Sequence, residues 1–93
     1  MIRIEIIANQ SVYSEVITNL ENCVKDFMYS VIPLVHGRGT DSYKLGTTTW
    51  SETNFMLIAY AEDSAEENVR AVIEYIRKKI PTEGIKMFVL HER

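Results

Sequence analysis

Apolar residues at Ile2, Ile4, Ile6 and Ala8 alternate with Arg3 and Glu5. Successive side chains of an extended chain point to opposite faces, so this spacing predicts a strand with one buried face. Asn9-Gln10-Ser11 interrupts the alternation, and Ser11 or Asn9 is suited to cap a helix beginning there. Val12, Val16, Ile17, Leu20, Val24 and Phe27 then recur at spacings of three and four, which predicts a helix with Glu15, Asn19, Glu21 and Asn22 mostly off its apolar face. Cys23 lies beside that face and is expected to be a small buried filler.

Phe27 to His36 is rich in Val, Ile and Tyr and predicts a second strand. Pro33 lies inside it. A proline donates no ladder hydrogen bond, so this strand should be an edge or carry a bulge. Residues 37–53 are polar and glycine-containing, and a connection of that length in a small domain tends to be functional. Within it, Thr47-Thr48-Thr49-Trp50 has strand propensity. Trp50 is expected to anchor the loop. Asn54 to Ala61 (NFMLIAYA) is nearly continuous apolar sequence, which predicts a central strand covered on both faces.

Ser64-Ala65-Glu66-Glu67 has the form of a capping box, with Asp63 adding negative charge near the helix start. Val69, Val72, Ile73, Ile76 and Ile80 form the buried stripe of this second helix. Arg77, Lys78 and Lys79 in its last turn offset the helix dipole and read as a solvated helix end. Pro81 and Gly84 stop it, and Ile85 to Leu90 predicts the last strand.

The order strand, helix, strand, strand, helix, strand with right-handed crossovers gives an α+β, ferredoxin-like βαββαβ sandwich. Its antiparallel sheet of four strands, in spatial order 4-1-3-2, carries both helices on one face. Pro33 then falls on an edge strand. The open face is expected to carry Ile7, Tyr29 and Val31, an apolar surface suited to oligomerisation.

Composition narrows the function classes. Residues 1–93 make one domain, 46% hydrophobic and 25% charged, with a net charge of −3 and no basic block of the kind nucleic-acid binding needs. A single cysteine allows no internal disulfide and no C-x-x-C pair. No apolar run approaches the roughly 18 residues that span a bilayer. Met1 to Glu5 reads as strand rather than as a secretory leader, and a cytoplasmic protein with no direct membrane insertion is expected. His36 and His91 have no metal-ligand spacing, and no nucleophile elbow is present, so no enzymatic activity is expected.

Two segments carry the remaining chemistry. One is His36-Gly37-Arg38-Gly39-Thr40, where flanking glycines let backbone N–H groups approach a ligand and Arg38 offers a fork suited to phosphate or carboxylate. The other is Pro81-Thr82-Glu83-Gly84-Ile85-Lys86, with Lys86 as a second counter-charge. They lie at opposite sheet edges and are expected to meet only across a subunit interface.

These segments, in the phrases YSVIPLVHGRGT and PTEGIKMFVL, together with LGTTTWSETN between them, resemble the PII signal-transduction superfamily, specifically its short PII-like branch. The resemblance runs the length of the chain. It implies a compact homotrimer acting in nitrogen regulation, with adenine nucleotides bound in clefts between subunits. A loop after the second strand would report ligand state to a partner enzyme or transporter. On the matching motifs, Gly37, Arg38, Gly39, Thr40, Glu83, Gly84 and Lys86 would contact ligand, and residues 41–54, with Tyr43, Lys44 and Trp50, would form the signalling loop. TEGIK stands where nucleotide-binding members are richer in glycine, so the expected ligands are an adenine nucleotide, another nucleotide, another small anion or a metal, and a site that binds none is an open alternative. Two other readings share the architecture. One is a metal-binding trimer of the divalent-cation-tolerance (CutA-like) type using His36, His91, Cys23 and acidic residues. The other is a small ferredoxin-like enzyme with a pocket between helices and sheet.

Overall fold

The computed structural model describes residues 1–36 and 53–92. Strand β1 spans Ile2–Asn9 and ends in a short 3-10 turn, Gln10–Val12. Helix α1 comes next at Tyr13–Cys23, then strands β2 at Tyr29–Val35 and β3 at Asn54–Ala61. Helix α2 occupies Ala65–Lys79 and strand β4 Ile85–His91. The strands form one antiparallel sheet in the order β2-β3-β1-β4, as the crossover argument requires.

The alternation in β1 sets the core. Ile2, Ile4, Ile6 and Ala8 are buried beneath the helices with Phe55, Leu57 and Ala59 of β3 and Ile85 of β4. Val12, Val16 and Leu20, with Val69, Val72, Ile73 and Ile76 of α2, supply the helical side. The Tyr13 ring meets Phe55 edge-on, with centroids 5.0 Å apart. Each large aliphatic side chain withdrawn from water in this layer contributes about 1.5–3 kcal/mol.

Pro33 sits where the ladder breaks. Ile32 pairs with Met56 and Val35 with Asn54, so Pro33 and Leu34 together face Phe55. This is a bulge on an edge strand, and it accommodates the missing proline donor.

Several local expectations are corrected. Helix α1 stops at Cys23, and Asp26 adopts a left-handed conformation with φ of 54° that turns the chain away. Phe27 therefore leaves the helix face and stacks on Tyr29 instead, with ring centroids 5.8 Å apart. Cys23, in the last turn of α1, is exposed rather than buried. Of the two cap candidates, Asn9 caps the 3-10 turn, its Oδ1 accepting from the Ser11 N–H at 2.8 Å, whereas α1 itself starts after Val12 with no side-chain cap bond. The Ser64 capping box does not form, because Ser64 is itself helical in conformation and its side chain makes no cap bond. The helix opens on backbone bonds from Ala65 N–H to the Glu62 carbonyl and from Glu66 N–H to the Asp63 carbonyl.

The two sheet faces also differ from expectation. β3 is buried on one face only; Asn54, Met56 and Ile58 are half-buried and Tyr60 is exposed, because both helices cover the other side. Tyr29 and Val31 pair with Ala59 and Leu57, which places them on the helix-covered face. The open face carries Ser30 and Ile32 of β2, Met56, Ile58 and Tyr60 of β3, Arg3, Glu5 and Ile7 of β1, and Lys86, Phe88 and Leu90 of β4.

The basic end of α2 does more than face solvent. The Arg77 guanidinium donates to the Ile85 carbonyl from Nε at 3.2 Å and from a terminal nitrogen at 2.8 Å. It also pairs with Glu74 one turn back. Lys79 reaches Glu15 of α1 at 3.1 Å, tying the two helices together. Arg77 thus holds the turn between α2 and β4 from outside.

These contacts are open to test. Arg77→Met keeps the stem but removes the charged donors on Ile85; it is expected to destabilise the fold by about 1–2 kcal/mol in chemical denaturation. A second test concerns Tyr29, whose hydroxyl donates to Glu21 at 2.6 Å. That bond to a carboxylate, with smaller help from burial, pushes the phenol up to about 12 from its ordinary 10.0. Only the neutral phenol can donate. Its stabilising effect is therefore present below the ordinary tyrosine value and is lost as pH rises through about 12. Glu21→Gln should bring this tyrosine's ionisation down toward the ordinary range in an absorbance titration, and an unchanged curve would contradict the contact.

Candidate ligand-binding and signalling site

One end of the sheet gathers the relevant chain segments. β1 and β2 end there at Asn9 and Val35, while β3 and β4 begin there at Asn54 and Ile85. Residues 37–52 connect β2 to β3 at this end. Gly37, Arg38, Gly39, Thr40, Tyr43, Lys44 and Trp50 lie outside the described residues, as does the Thr47–Trp50 stretch.

The roots of that connection are tied to the turn after β1 through a single residue. Gln10 donates its backbone N–H to the Thr53 carbonyl at 2.9 Å, and its side-chain amide to the Pro33 carbonyl. Thr53 precedes β3, and Pro33 lies in the β2 bulge. Gln10 therefore ties together the two chain segments where the connection leaves and re-enters the sheet. Nothing in its sequence context marks it; a glutamine after a strand reads as ordinary turn chemistry. Arg77 was likewise missed as a positioning residue, although its place in the last helical turn, eight positions before Ile85, was a signal.

The second predicted segment is at the same end but at the opposite edge. Glu83 is half-buried, with its N–H donating to the Ile80 carbonyl at 3.3 Å. Gly84 is exposed, and a Cβ built on it would meet nothing within 4 Å. No neighbouring atom among the described residues demands a glycine there, so its smallness is available to whatever approaches from outside. Lys86 is exposed on the open sheet face beside Ile7. The structure thus groups Glu83, Gly84 and Lys86 but keeps them apart from the β2 edge, with β1 and β3 between.

The metal-ligand candidates do not converge within the chain. His36 comes after the end of β2, whereas His91 closes β4 at the far end of the sheet, where its Nε2 lies 3.2 Å from Glu66. Cys23 is on α1. Among the described residues no group of three His, Cys, Asp or Glu side chains is placed to hold a metal ion. No helix among them is long and apolar enough to cross a membrane.

No family model matches the sequence, and no curated protein matches it. Solved structures do match the fold. CPII from Thiomonas intermedia K12, solved with ADP and bicarbonate, superposes with a TM-score of 0.66 at 16% identity, over 96% of this chain and 82% of CPII. A second structure of CPII, a nitrogen regulatory PII-like protein bound to ADP, AMP and bicarbonate, gives 0.64 at 18% identity over 99% and 92% of the two chains. The de novo designed protein Foldit4 matches with a TM-score of 0.64 at 9% identity, over 99% of this chain and 98% of its own. The architecture alone therefore carries no function. With the strand order, the one-sided helical layer and near-complete coverage in agreement, this chain has the fold of the PII-like proteins.

Proposed function

We propose that the chain is a single-domain PII-like regulatory protein, a homotrimer that binds a small anion in clefts between subunits. An adenine nucleotide is the first ligand expected. The observation that carries this reading is the placement of Lys86. It stands on an apolar open sheet face, at the end where residues 37–52 join the sheet, yet at the edge opposite to β2. In this reading Gly37, Arg38, Gly39 and Thr40 of one chain would combine with Glu83, Gly84 and Lys86 of its neighbour, because β2 and β4 are opposite edges of one sheet. Packing subunits through the open face brings opposite edges of neighbouring sheets together. Arg38 and Lys86 would then neutralise the ligand, and the exposed, unencumbered backbone at Gly84 would lie against it.

The ligands of CPII, which are ADP, AMP and bicarbonate, favour the same class here. So does its nitrogen regulatory role, which makes nitrogen control the first pathway to examine. Asn54, at the end of the expected loop, is the first residue of β3; ligand would bias residues 41–52, with Tyr43, Lys44 and Trp50, between two arrangements read by a partner enzyme or transporter. Gln10 at the roots of that segment would couple its position to the sheet. The protein would act by binding, without catalysis, in the cytoplasm.

The test is titration calorimetry with ATP, ADP, AMP, cyclic AMP and bicarbonate on protein whose mass in solution is set by light scattering. The expected result is a trimer that binds at least one adenine nucleotide. Arg38→Ala and Lys86→Ala should each weaken binding about tenfold or more, the loss of one charge-assisted contact. An intact trimer that binds none of the five ligands would overturn the nucleotide reading, and a monomer would overturn the inter-subunit site.

A further inference from the structure

Glu5 occupies an unexpected place. It lies midway along β1 on the open face, directly opposite Ile58 of β3 on one side and Phe88 of β4 on the other. Arg3, two positions earlier on the same face, lies between Tyr60 and Leu90. The Arg3 Nε donates to Glu5 Oε2 at 2.7 Å, and a terminal nitrogen donates to the Tyr60 hydroxyl oxygen at 2.8 Å. The guanidinium carbon stands 5.6 Å from the Tyr60 ring centroid. Glu5 is 21% exposed and Arg3 37%.

The surroundings are apolar. Ile32, Tyr60, Phe88 and Leu90 on this face are 42%, 57%, 49% and 58% exposed, and Ile7, Met56 and Ile58 lie between them. So much exposed apolar surface on one sheet face marks an interaction surface. The charges identify what covers it. Arg3 and Glu5 neutralise each other within one chain, so at this cluster the face asks for no opposite charge from its partner. A second copy of the same surface, apolar and equally self-neutralised, meets that condition. The Tyr60 hydroxyl accepts from Arg3 and keeps its own proton to donate across such an interface.

We propose that the Arg3–Glu5–Tyr60 cluster sets the register in which copies of this chain pack their sheets. An apolar surface alone slides with little change in energy. A buried ion pair tolerates only those packings that leave its hydrogen bonds intact, as polar groups do in other self-associating interfaces. Removing one partner leaves an unpaired charge to be desolvated, whereas replacing both leaves an apolar surface of similar volume. This inference rests on the trimeric reading above and names the residues that govern it.

Sedimentation or light scattering over a range of protein concentrations tests it with four variants. Arg3→Met and Glu5→Leu are each expected to raise the concentration at which the assembly dissociates by about tenfold or more. Arg3→Met/Glu5→Leu together should restore association. Tyr60→Phe preserves the ring, and therefore the fold, and should shift dissociation in the same direction as the single charge variants by a smaller factor. It keeps the test decisive if a charge variant fails to fold. An assembled wild-type protein with dissociation unchanged in the single variants and in Tyr60→Phe would overturn this inference and leave the trimer standing. A monomeric wild-type protein would overturn both.

Discussion

The structure depends on one constraint, which is that both helices cover the same face of an antiparallel sheet. Because side chains alternate strictly along each strand, covering one face decides the environment of every strand residue at once. Ile2, Ile4 and Ile6 go inward, so Arg3, Glu5 and Ile7 must go outward. The registers then carry this choice across the sheet, from β1 to Ala59 and Val89 on the covered side and to Ile58 and Phe88 on the open side. A slip of one residue would expose the isoleucines and bury the Arg3–Glu5 pair against the helices. No rearrangement of surface contacts could offset that.

The same constraint creates an asymmetry between the two faces of the sheet. The helical layer is a finished core, with its helices joined by Lys79 to Glu15 and its last turn secured by Arg77 on Ile85. The other layer is unfinished: a largely apolar surface that also carries the Arg3–Glu5 pair and Lys86 and is bounded by two edge strands. At the end of the sheet where the connection of residues 37–52 attaches, Gln10 bonds to both its roots. A rigid layer, an open face and a tethered connection are the parts from which a multi-subunit binding protein can be assembled. A designed protein shares the same architecture. The fold by itself therefore carries no function.

The fold was legible in the sequence because the two periodicities were strong and the proline was diagnostic. Alternation over Ile2 to Ala8 and the stripe from Val69 to Ile76 each describe an element whose burial depends on local geometry. Pro33 placed its strand at an edge because a missing N–H has the same consequence in every sheet, and the bulge lies there. Where legibility failed, a local pattern met a tertiary condition. NFMLIAYA is apolar throughout, yet the chain itself covers only one of its faces. Phe27 has helical spacing, but Asp26 turns the chain before it can join the helix. Ser64 and Glu67 have the capping-box spacing, but the backbone reaches Glu62 and Asp63 first.

The sequence by itself determined the elements, their order, the strand that lies at the edge, and the two short segments rich in glycine and cations. These rest on the periodicity of side chains along the chain and on the covalent limits of glycine and proline. Only the tertiary structure decided that Glu83, Gly84 and Lys86 share one end of the sheet with the β2 terminus, and that Lys86 stands on the open face beside Ile7. It alone revealed that Gln10 and Arg77 are positioning residues, and that Tyr29 and Val31 face inward while Tyr60 faces out. These properties depend on strand register and on hydrogen bonds between residues distant in the chain. Such pairings are settled by packing the whole sheet against its helices.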